Sequence, residues 1–120
     1  MRNNRIWFIP AIAVTLGIFL LSTFLAFQMQ VEGVGYLDKI EHCFAYAVLV
    51  ISFLLAFKKV EGLTKRKIYL LIFWASIYGF SLELVQFVFL SYRFFEWKDA
   101  LANLLGIFSG LAIFKLFDRG

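Results

Sequence analysis

Residues 68–90 read IYLLIFWASIYGFSLELVQFVFL, with Glu83 as the one charged side chain in the run. As a helix this stretch is about 34 Å long, enough to cross a hydrocarbon core of about 30 Å. It is too long and too evenly apolar for a buried strand, which is short and flanked by turn signals. Three further runs have the same character. Ile6–Phe27 contains no charge, Ile40–Phe57 has Glu41 and His42 at its start, and Ala100–Phe117 is interrupted by Asn103 and Lys115. The expected architecture is an all-α integral membrane protein. Four transmembrane helices, at about 6–27, 38–57, 68–90 and 99–117, form one compact bundle and a single domain over 1–120.

Composition agrees with this reading. Of the 120 residues, 62% are hydrophobic and 17% charged. A soluble domain has about half apolar and a quarter charged residues, and a disordered chain has few apolar ones. Four spans use most of the chain, so the chemistry is expected inside the bundle or at its rim. Arg2 and Arg5 precede the first run as in a signal peptide. That run is too long for a signal core and lacks a small-residue cleavage site, so it is expected to be retained. Pro10 falls in its first turns, where a missing N–H costs little. The single Cys43 excludes an intramolecular disulfide and a cysteine metal cage.

Lys and Arg positions give an orientation. Nine of the twelve lie at the N-terminus (Arg2, Arg5), in the second loop (Lys58, Lys59, Lys65, Arg66, Lys67) and at the C-terminus (Lys115, Arg119). Lys39, Arg93 and Lys98 lie on the other side. Both termini are therefore expected in the cytoplasm, with 28–39 and 91–99 facing out. The net charge of +4 reflects this asymmetry and is no footprint of nucleic-acid binding. The basic loop reads as the topology signal and a contact to anionic lipid.

Polar residues gather on the outer half. Asp38 and His42 are four apart at the start of the second helix, and Asp99 and Asn103 four apart at the start of the fourth. Glu83 and Gln86 lie near the outer end of the third. Arg93 and Lys98 lie in the loop between the last two helices. At 1.5 Å per residue, His42, Asn103 and Gln86 are each about 6 Å inside their helix end, and Glu83 about 10 Å. Ser76, Gly79, Glu83 and Gln86 share one stripe. Asp99, Asn103, Gly106 and Gly110 share another, whose G-x-x-x-G spacing permits close approach to helix 2 or helix 3.

An acid deep in a membrane costs about 2.5–3.5 kcal/mol on insertion scales, so such residues usually mark a site. Glu83 is a candidate general acid or base, or a structural hydrogen-bonding group. His42 is a candidate base or nucleophile, or a bridge between helices. Arg93 suits a phosphate or carboxylate. Asp38, Gln86, Asp99 and Asn103 are candidate substrate-binding residues, and the two aspartates serve equally as N-caps. Gly79, Gly106 and Gly110 are expected to serve packing. A lone His argues against zinc; no metal and no cofactor is expected.

The motifs D-K-x-x-H at Asp38–His42, G-x-x-x-E-x-x-Q at Gly79–Gln86, and Arg93 followed by D-x-x-x-N-x-x-G-x-x-x-G at Asp99–Gly110 resemble the VanZ-like family of bacterial membrane proteins. The resemblance covers the chain from Asp38 onward, together with a matching first span. It implies a multi-pass protein of the bacterial cytoplasmic membrane, linked through the family's first member to resistance to the glycopeptide teicoplanin. It makes Asp38, His42, Glu83, Gln86, Arg93, Asp99 and Asn103 the characteristic polar positions. The expected partners are membrane lipids and a lipid-linked cell-wall precursor, with no nucleic acid. The expected function is action at the outer face on a lipid-linked or amphiphilic envelope molecule, with an intramembrane hydrolase or transferase left open. Two rivals stand beside it. A small four-helix transporter would carry its acid in the first helix, which here is uncharged. A structural partner of a cell-wall synthesis complex would use the polar layer only for packing.

Overall fold

The computed structural model describes residues 4–20, 36–89 and 97–118. A single 3-10 turn, Asn4–Trp7, leads into α1, Phe8–Leu20. Three longer helices follow: α2, Tyr36–Val60; α3, Lys65–Phe89; and α4, Trp97–Phe117. The described residues contain no strand. Among the described residues, three helices are long and apolar enough to cross a membrane, over Ile40–Val60, Lys65–Val85 and Ala100–Phe117. The described part of α1 has 13 residues; residues 21–27 of the expected span 6–27 lie outside the described residues.

The helices run past their apolar cores into charge. α2 continues through Lys58 and Lys59, and α3 begins at Lys65. Lysine is a good helix former, and cations in the last turn of α2 complement its dipole. The turn between them is closed by local chemistry. Glu61 and Gly62 N–H groups both donate to the Phe57 carbonyl, at 3.0 and 2.8 Å. Gly62 takes φ +89°, the left-handed conformation that ends a helix and that glycine adopts without strain. Thr64 caps α3, its hydroxyl accepting the Lys67 N–H at 3.3 Å. Lys67 then folds back onto Glu61 at 2.9 Å and onto the Gly62 carbonyl at 2.9 Å.

One correction concerns the aspartates. α2 and α4 are already helical at Tyr36 and Trp97, so Asp38 and Asp99 lie inside a helix and are not its N-cap.

The largest packing interface joins α2 and α4. A Cβ placed on Gly106 would strike the Cys43 carbonyl, and one on Gly110 would lie 2.7 Å from the Ala47 carbonyl oxygen. Both numbers advance by four along the two helices, so α2 and α4 run parallel. The expected G-x-x-x-G contact is therefore made to helix 2. Lys58 and Asp118 form an ion pair where both helices finish. Leu49, Val50, Leu54 and Ile107 are fully buried between the helices, with Leu71, Ala75, Leu82 and Phe114 around them.

α1 lies antiparallel on α2. Phe8 meets Phe57 edge to face at 5.6 Å, and Lys59 sits 5.2 Å from the Trp7 ring centre. Only 28%, 28% and 33% of the three spanning windows are buried. Large apolar side chains such as Leu16, Phe73, Phe80, Leu105 and Phe108 point outward. Such a surface suits lipid, since a soluble monomer rarely exposes apolar patches beyond a few hundred Å².

Candidate functional site

His42 lies 18 residues before the end of α2 and Glu83 18 residues after the start of α3, each about 27 Å along its helix from the basic turn that joins them; Asn103 lies 14 residues, about 21 Å, before the end of α4. All three fall in the half of the bundle away from the basic turn. Glu83 and Asn103 are the two buried polar side chains among the described residues, 4% and 3% exposed. His42 is half-buried. Hydrocarbon offers buried polar groups no water, so each must be satisfied by the protein or by something it binds.

The three long helices meet at Gly79. A Cβ there would lie 2.8 Å from Asn103 Nδ2 and 3.2 Å from both Oη and Cε2 of Tyr46. The absent side chain lets an amide from α4 and a phenol from α2 reach the backbone of α3. Gly79 therefore admits side chains, whereas Gly106 and Gly110 admit a neighbouring backbone. Glu83 lies one helical turn further along the same stripe and interacts electrostatically with Tyr46.

Tyr46 was absent from the candidates read in the sequence, although it is 2% exposed and touches this junction. An aromatic in an apolar run reads as core. Its signal was position, four residues after His42 and so on the same helix face.

Tyr78 extends the junction toward α1. Its ring lies 6.4 Å from Tyr46 and stacks on Trp74 at 5.2 Å and 11°. Trp74 in turn meets Phe53 edge on at 5.3 Å. The Tyr78 hydroxyl donates to the Thr15 carbonyl at 2.5 Å and so ties α3 to the backbone of α1. Ser76, on the expected polar stripe, instead donates to the Ile72 carbonyl of its own helix at 2.8 Å.

Asn103 Oδ1 is buried and has no hydrogen-bond partner among the described residues. A buried acceptor left in this state costs about 1–3 kcal/mol. Native structures contain few such atoms, and those they contain often mark a binding or catalytic role.

Of the other candidates, Arg93 lies outside the described residues, as do the side chains of Asp38, Gln86 and Asp99. Among the described residues, no three His, Cys, Asp or Glu side chains are grouped as metal ligands. No protein-family model, curated protein or solved structure matches the chain.

Proposed function

We propose that this chain is a VanZ-like protein of the bacterial cytoplasmic membrane that takes a lipid-linked or amphiphilic envelope molecule into the polar layer of its outer half. The observation that carries this reading is the placement of Glu83 and Asn103. Both are buried, in the half away from the basic turn, on facing helices of an otherwise apolar bundle, and among the described residues Asn103 keeps an acceptor without a partner. The Lys and Arg asymmetry puts that end outside, where lipid-linked wall precursors and lipophilic glycopeptides such as teicoplanin act. Arg93 would hold an anionic head group, Glu83 and His42 would form the hydrogen-bonding or reactive centre, and Asp38, Gln86, Asp99 and Asn103 would orient it. An acid, an imidazole and a guanidinium at one site are also the groups that acyl or phosphoryl transfer employs.

The test uses the purified chain and a total envelope-lipid extract, comparing wild type with Glu83→Gln by mass spectrometry. The expected result is envelope lipid retained by wild type and lost or reduced at least fivefold in the variant. A converted lipid seen only with wild type would make the chain an enzyme. Equal retention by a folded Glu83→Gln would leave the polar layer a packing device and overturn the reading.

A further inference from the structure

We infer that the group bound at Asn103 is a hydrogen-bond donor: an ammonium, amide or hydroxyl in the head group of a membrane lipid. This rests on the reading above and adds the chemistry that the head group must carry.

The junction is rich in acceptors. Asn103 Oδ1 is a carbonyl oxygen, buried and unpartnered among the described residues. Its own amide nitrogen lies against Gly79. Glu83 supplies carboxyl oxygens one turn away on α3. Asn103 Oδ1 accepts no hydrogen bond from the described residues, the Tyr46 hydroxyl included, so an incoming N–H or O–H would relieve it; a bare anion or a quaternary ammonium leaves it as it was.

Depth selects the kind of molecule. Asn103 lies about 21 Å along α4 from its end at the basic side. The hydrocarbon core is about 30 Å thick. Asn103 therefore sits in the half of the core away from the basic turn, on the side where a lipid's polar end reaches while its tails stay in the bilayer. The entry side is also set by packing. α4 is held against α2 by backbone contacts at Gly106 and Gly110, while α3 has much thinner interfaces with both. Asn103 meets α3 at a glycine through its amide nitrogen, so displacement of α3 uncovers the Asn103 amide with no side chain at Gly79 in the way.

The test reconstitutes the full chain in vesicles of equimolar phosphatidylethanolamine, phosphatidylcholine and phosphatidylglycerol with matched acyl chains. The lipid retained after transfer to detergent is weighed by mass spectrometry. Phosphatidylethanolamine and phosphatidylcholine share a net charge and differ in N–H donors, so their ratio is the readout. Phosphatidylglycerol reports the hydroxyl arm. The expected result is at least fivefold enrichment of phosphatidylethanolamine over phosphatidylcholine for wild type, falling below twofold for Asn103→Leu. Asn103→Asp, which keeps an acceptor, should preserve the enrichment. Wild type that enriches neither phosphatidylethanolamine nor phosphatidylglycerol over phosphatidylcholine overturns the inference without reference to any variant. An enrichment that Asn103→Leu leaves intact overturns it as well. If Glu83-dependent retention of envelope lipid is seen but neither donor lipid is enriched, the inference falls and the reading above stands. If no lipid is retained, both fall.

Discussion

Two junctions in this bundle use glycine for opposite purposes. At the α2–α4 seam, Gly106 and Gly110 bring two backbones together and leave no room for any side chain. At the α3 junction, Gly79 leaves a gap that Asn103 and Tyr46 fill with polar atoms. The first is rigid because peptide groups cannot rotate away. The second is adjustable because its close atoms are side-chain tips. One junction fixes the frame, and the other holds groups able to meet a ligand.

Substitution should separate the two. Gly106→Ala forces a Cβ into the Cys43 carbonyl, so the helices must part; overpacking of this kind costs about 1–3 kcal/mol or more. We expect the largest loss here, about 3 kcal/mol or failure to fold, read from unfolding in detergent. Gly79→Ala meets only movable tips and should cost about 1 kcal/mol, yet it should reduce lipid retention about as much as Glu83→Gln does. Equal destabilisation by both substitutions would erase the contrast.

Tyr78→Phe comes next in size. It removes a hydroxyl that ties α3 to the α1 backbone, and a lost hydrogen bond of this kind costs about 1 kcal/mol. Slower hydrogen exchange along α1 in wild type than in the variant would sharpen the view that α3 is tied to α1. Indifference would detach α1 from the site.

The smallest effect lies at the basic turn. The Lys67 ammonium, by hydrogen bond and charge, holds the exposed Glu61 carboxyl below its ordinary value of 4.5. A lowered folded value means the contact is present above about pH 4.5 and is lost as pH falls through the value that Glu61 has in the folded chain. Titration of Glu61 by NMR should show this lowering, and Lys67→Met should return it to the ordinary range. Global stability should not move, because surface pairs contribute little.

Much of the frame was legible in the sequence. The run 68–90 announced a spanning helix because twenty-odd apolar residues have few other stable uses. G-x-x-x-G at Gly106 announced a close contact, although spacing alone left helix 2 and helix 3 equally eligible. The placement of His42, Glu83 and Asn103 in one half of the bundle followed from counting residues, since rise per residue is a local property. Tyr46 and Tyr78 were not legible. A tyrosine counts as apolar in a hydropathy window, and its hydroxyl matters only once another helix brings a partner.

The sequence by itself determined that this is an all-helical chain with apolar spans and a layer of polar groups near one end. Helix length, charge placement and periodicity follow from local chemistry, and each position carries its own part of them. Only the tertiary structure decided that α4 lies parallel to α2, that Gly79 faces Asn103 and Tyr46, and that the Asn103 carbonyl oxygen has no hydrogen-bond partner among the described residues. Those facts depend on which faces of separate helices meet and how closely, and that is a property of the packed bundle as a whole.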